Sequence, residues 1–119
     1  MKKVLFVRPC HDDVTSYLYF YSRKLLEESE NRGLKTINKE KDDANRGVVE
    51  NIIDKLNPDF IMFNGHGNPA VVCGYHNKVI IENGNNQDLL KDRIIYSLSC
   101  SSASELGKAV GDSNTTFIG

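Results

Sequence analysis

The chain has 119 residues, 39% of them hydrophobic and 26% charged, with a net charge of −1 from 15 Lys+Arg against 16 Asp+Glu. That length holds one compact domain with a core and is too short for two. The balanced charge leaves no basic footprint for nucleic acid, and no apolar run nears the roughly 18 residues that span a bilayer.

The opening Met1-Lys2-Lys3 is basic, as in a signal peptide, but the apolar stretch Val4 to Val7 is far too short to continue one. Lys3 to Arg8 reads as a buried parallel strand, ended by Pro9. A helix capped by Asp13 or Thr15 then runs to about Asn31. Its expected buried stripe is Val14, Leu18, Tyr21, Leu25 and Leu26, with Gly33 as the stop signal. The aromatic set Tyr17, Tyr19, Phe20 and Tyr21 cannot all face one side of that helix, so part of it is expected at an interface.

Leu34 to Asn38 fits a second strand. Asp42 or Asp43 opens the next helix, whose stripe is Val48, Val49, Ile52, Ile53 and Leu56, and Asn57-Pro58 ends it. Asp59 to Asn64 is a central strand running into Gly65-His66-Gly67. Val71 to Ile81 suggests a small hairpin around Tyr75-His76-Asn77, and Gln87 to Lys91 a short helix. Arg93 to Leu98 is another buried strand, leading into Ser99-Cys100-Ser101-Ser102. A helix from about Ser102 to Val110 and a strand from Thr115 to Ile118 complete the pattern. Strands alternating with helices predict a three-layer αβα sandwich with a mainly parallel sheet, a flavodoxin-like strand order and a small hairpin after the His66 loop.

In such sheets the chemistry lies beyond the carboxyl ends of the strands. Two predicted strand ends carry a nucleophile and a base, Cys100 and His66, 34 positions apart. A thiol attacks as the thiolate, and the start of the helix expected after Cys100 favours an anion. Small neighbours (Ser99, Ser101, Ser102 and Ala103) leave room for substrate. The other reading of Cys100 is a small apolar residue packed at a strand end. Glycines on both sides of His66 permit a sharp turn and close approach to a ligand; the plainer reading of Gly-His-Gly is a turn. The N–H groups of Gly67 and Cys100 are candidate oxyanion donors.

Cys10, Cys73 and Cys100 are odd in number and lack Cys-x-x-Cys spacing, so free thiols in a reducing cytoplasm are expected. His11 and His76 could join Cys10, Cys73 or Asp12 around a metal, but the absence of ligand spacing argues for no metal and no cofactor.

Phe60-Ile61-Met62-Phe63-Asn64-Gly65-His66-Gly67 and Ile94-Ile95-Tyr96-Ser97-Leu98-Ser99-Cys100-Ser101-Ser102 resemble the two motifs of the caspase-like cysteine peptidases, the clan of caspases, gingipains, clostripain, legumain, separase and the CHAT domains. The resemblance implies a peptidase that works through a thioester. Cys100 would attack the carbonyl and His66 would protonate the leaving amine, as a dyad with no obligatory third member. It also implies a substrate pocket fed by the loop after the first strand. There Asp12 or Asp13 would select a basic residue, or Arg8 an acidic one; Asp13 as a mere helix cap and Arg8 as a structural ion pair are the plainer alternatives.

Against the family, the chain ends at Gly119, soon after its last predicted strand. The expectation is therefore a caspase-like domain lacking its C-terminal part. Its partners would be a peptide or protein substrate and, at an unpaired strand edge, a second copy or the absent segment. The alternative function is an inactive caspase-like or flavodoxin-like module acting through protein contacts.

Overall fold

The computed structural model describes residues 2–98, 103–111 and 114–118. Five strands form one parallel sheet: β1 (Lys3–Arg8), β2 (Lys35–Glu40), β3 (Phe60–Asn64), β7 (Ile94–Leu98) and β8 (Thr116–Ile118), in the order β2-β1-β3-β7-β8. Counting main-sheet strands only, this is the flavodoxin-like order 2-1-3-4-5. A second, antiparallel sheet of β4 (Gly67–Asn68), β5 (Val71–Cys73) and β6 (Val79–Glu82) follows the His66 loop. The domain is thus the α/β sandwich that the alternating pattern predicts.

Strand alternation divides the core between the two faces of the sheet. Leu5, Val7, Ile61, Phe63 and Ile95 point to one face. There they pack with Val49 and Ile53 of α2 (Arg46–Leu56), Val72, Ile80 and Ile81 of the small sheet, and Leu106 and Val110 near the C-terminal end. Val4, Phe6 and Met62 point to the other face, beneath α1 (Asp13–Asn31), where Leu26 and Leu34 pack on them. That second face is less fully covered. An apolar groove of about 450 Å³ opens on it, lined by Leu25, Phe60, Met62, Tyr96 and Leu98 among others.

Several expected boundaries shift. The cap of α1 is Asp12, not Asp13 or Thr15, and Thr15 instead completes a capping box with it. Asn45, not Asp42 or Asp43, caps α2 by accepting from the Val48 N–H; the two aspartates lie in a 3-10 turn just before. Gln87–Leu90 is 3-10 rather than α-helical, and Ala103–Gly107 is a π-helical turn leading into the single α turn α3 (Lys108–Val110).

The phase of α1 also differs from its apolar pattern. Val14, Tyr21 and Leu25 are more than half exposed, whereas Thr15 and Ser22 are buried. The cause is Arg8. It continues the Val4–Phe6 side of β1, so its guanidinium lies beneath the helix at 2% exposure. A buried cation must be paired and hydrogen-bonded. The helix therefore turns Ser22 Oγ (2.7 Å from Arg8 Nε) and the Tyr19 carbonyl (2.5 Å from Nη2) towards it, while Glu40 and Asn38 of β2 accept from Nη1 at 3.4 and 3.3 Å. The Tyr19 ring covers the same guanidinium at 4.3 Å, and its hydroxyl donates to Glu40 at 2.6 Å.

No helix among the described residues is long and apolar enough to cross a membrane.

Candidate active site

Strand order locates the site before any side chain is considered. The chain leaves β1 towards β2 on one side and leaves β3 towards β7 on the other. A crevice opens beyond the carboxyl ends where such connections diverge, here between β1 and β3. The loop after β1 brings Cys10, His11 and Asp12 to this point, and the loop after β3 brings His66.

Asp12 serves two structures at once. Its Oδ1 accepts from the Thr15 N–H at 2.9 Å and the Thr15 hydroxyl at 2.8 Å, satisfying donors at the start of α1. Its Oδ2 lies 2.6 Å from His66 Nε2. The Thr15 N–H above all, with the Thr15 hydroxyl and His66 beside it, outweighs the opposing effect of burial and holds this carboxyl well below the usual carboxylate range. An ionised Asp12 fixes the His66 tautomer: Nε2 donates to the carboxylate, which leaves Nδ1 as the basic nitrogen. About one third of each side chain is exposed, so the pair is open to solvent.

His11 lies behind this pair. Only 5% of its side chain is exposed. Its Nε2 is 3.1 Å from Asn77 Oδ1 and 3.7 Å from Asp12 Oδ2, while its buried Nδ1 has no hydrogen-bond partner among the described residues. The ring meets Tyr75 edge-on, with 5.6 Å between centroids. His76 and Asn77, in the turn between β5 and β6, both adopt left-handed backbone at φ 55° and 60°. Non-glycine residues adopt that conformation only when their surroundings hold them there. Here the Asn77 amide and the His76 ring, 5.6 Å from that of His11, close over the histidine.

The glycines flanking His66 have distinct tasks. Gly65 brings the chain against the small sheet: a Cβ there would lie 2.7 Å from the Cys73 carbonyl oxygen and 3.3 Å from Pro9 Cγ. The Cys73 N–H donates to the His66 carbonyl at 2.8 Å, tying the loop to β5. Gly67 pairs with Val72 one position further on. Hydrogen-bonded and open pairs alternate along an antiparallel ladder, so the Gly67 N–H is turned away from β5.

The sequence-predicted residues separate accordingly. His66 and Asp12 meet. Cys100 lies outside the described residues, as do its neighbours Ser99, Ser101 and Ser102. Asp13 is exposed in the first turn of α1. Arg8 has spent its donors beneath α1 rather than over the strand ends, the structural role that was the plainer alternative. Two features escaped the sequence. One is the carboxylate partner of His66, since a dyad needs no third member. The other is the convergence of His11, Asp12 and His66, whose ligand-type atoms all lie within 4.8 Å of one another. Local ligand spacing is blind to it because His66 arrives from 54 residues further along the chain. The only advance signal was His11-Asp12 soon after one predicted strand and His66 soon after another.

Comparison with protein-family models, with curated proteins and with solved structures yields no match for this chain.

Proposed function

We propose that the chain is a cysteine peptidase of the caspase-like type, with Cys100 as nucleophile and His66 as its proton-transfer partner. One observation carries the reading. Asn64 and Leu98 are register partners on adjacent parallel strands, and His66 and Cys100 each follow their partner by two residues. Two residues of chain reach at most about 7 Å, and the loops that carry His66 and Cys100 both start from this one rim of the sheet.

In this reading the thiolate attacks a peptide carbonyl, and the Gly67 and Cys100 N–H groups receive the negative oxygen. His66, held at Nε2 by Asp12, takes the thiol proton at Nδ1 and passes it to the departing amine, leaving a thioester that water hydrolyses. Asp12 thus acts as a positioning residue for the imidazole. With both of its oxygens engaged, selection of a basic substrate residue falls to the exposed Asp13. The unpaired Cys10 and Cys73 suit a reducing compartment such as the cytoplasm.

The test is cleavage of a mixed fluorogenic peptide library by the purified chain. Cys100→Ala and His66→Ala are each expected to lower the rate by about 10² or more. A chain that cleaves no peptide and whose Cys100 reacts with iodoacetamide no faster than Cys73 refutes the assignment. A second reading, an inactive module acting through protein contacts, is favoured by one feature: Val14, Tyr17, Phe20, Tyr21 and Leu25 expose apolar surface along α1. Inertness towards peptides, together with association that Phe20→Lys abolishes, would establish it.

A further inference from the structure

We infer that His11, Asp12 and His66 form a binding site for a first-row divalent metal ion such as Zn²⁺. This inference does not depend on Cys100 or on peptidase activity. It rests on a donor set already gathered at the switch point of the sheet. His66 Nε2 and His11 Nε2 lie 2.6 and 3.7 Å from the same Asp12 oxygen, and the three ligand atoms are mutually within 4.8 Å. Metal–nitrogen and metal–oxygen bonds of about 2.0–2.2 Å set tetrahedral donors roughly 3.3–3.5 Å apart. The Asp12–His66 separation reaches that value once His66 withdraws from its hydrogen bond by less than 1 Å, and the Asp12–His11 separation is already close to it.

The chemistry of the donors selects the ion. Two imidazoles and one carboxylate suit Zn²⁺, Co²⁺, Ni²⁺ or Fe²⁺ rather than Mg²⁺ or Ca²⁺, which take all-oxygen shells. Asp12 offers Oδ2 to the ion. Its other oxygen stays fixed by Thr15, the outer support expected of a metal-binding carboxylate. Two ligands come from consecutive residues at a helix start and the third from the adjacent strand end, leaving the remaining positions open to solvent on the exposed side of His66 and Asp12. A fourth donor is at hand in Asn77 Oδ1, which already touches His11 Nε2 at 3.1 Å.

His11 supplies the independent observation. Its side chain is 95% buried, yet its Nε2 faces two oxygens, Asp12 Oδ2 at 3.7 Å and Asn77 Oδ1 at 3.1 Å, at separations close to those between donors around one ion.

The test is titration of the chelator-treated full chain with Co²⁺, read by visible absorption, and with Zn²⁺, read by calorimetry. One ion per chain is expected, with Co²⁺ absorption of low-coordinate intensity. His66→Gln and His11→Gln should each weaken binding at least about tenfold. Cys10→Ser and Cys100→Ser should leave it unchanged. His66 is partly exposed, so His66→Gln keeps the test decisive even if His11→Gln unfolds the chain. Absence of saturable binding, binding unaffected by His66→Gln, or binding lost with either thiol overturns the site. Because the readout is metal occupancy, a chain inert towards peptides can still bind the ion, and an active peptidase can fail to.

Discussion

His66 Nε2 is held 2.6 Å from Asp12 Oδ2 while Asp12 Oδ1 caps α1, so one carboxylate couples the start of the first helix to the loop after the third main-sheet strand. The two tasks separate by substitution. Asn is as good an N-cap as Asp, whereas Ala cannot cap and costs about 1 kcal/mol. Asp12→Ala is therefore expected to lower the melting temperature by several degrees, and Asp12→Asn by much less. Both lose the charge that holds His66, so both should lower alike the peptide cleavage proposed above. Thermal melts beside library cleavage check this; equal destabilisation by the two variants would mean that capping is not the structural task of Asp12.

Thiol reactivity should rank the cysteines. Burial pushes the Cys73 thiol up, away from the reactive thiolate. Under limited iodoacetamide at neutral pH, Cys100 is expected to carry the label and Cys73 to remain unmodified. Peptide mass mapping reads the order, and His66→Ala should slow Cys100 without changing Cys73.

The Tyr19 hydroxyl bound to Glu40, in the cluster around Arg8, makes stability depend on acid. The Tyr19 hydroxyl, then Asn38 and Arg8, hold Glu40 below the usual carboxylate range against the opposing effect of burial. A folded value below the unfolded one means that the unfolded chain binds more protons between the two, so stability there rises with pH. Glu40 thus contributes fully above its unfolded value of about 4.3, and its contribution disappears as pH falls through the lower folded value. Glu40→Gln should cost about 1 kcal/mol at neutral pH, a modest figure because Glu40 is over one-third exposed. Urea unfolding from pH 6 to pH 3 should show a shallower acid loss in the variant than in the parent.

Gly65 admits no side chain. Its φ of 156° and the 2.7 Å approach to the Cys73 carbonyl leave a Cβ nowhere to go without moving backbone. Gly65→Ala is expected to destabilise by about 1–3 kcal/mol and to displace the His66 loop from β5. Gly33→Ala is the comparison, strained in φ at 78° but with nothing within 4 Å of the added carbon. A smaller loss of stability than in Gly33→Ala would show that the loop yields without cost.

The sequence by itself determined the layers. Short apolar runs such as Val4–Val7 and Phe60–Phe63 make sense only as strands buried on both faces, and strands of that kind separated by helices pair in parallel. It also singled out His66, because a histidine between two glycines at the end of such a run is legible locally. Tertiary structure alone decided what His66 meets. Asp12 lies 54 residues away, and nothing in the spacing says that β1 and β3 are neighbours with their loops diverging between them. The same holds for the rotation of α1. Its apolar period is written in the sequence, but its phase follows from Arg8, whose buried charge claims Ser22 and the Tyr19 carbonyl and so turns Tyr21 and Leu25 outward. Hydrophobic periodicity specifies how much of an element is buried. A buried cation specifies which side, because leaving it unpaired costs more than exposing a few apolar side chains.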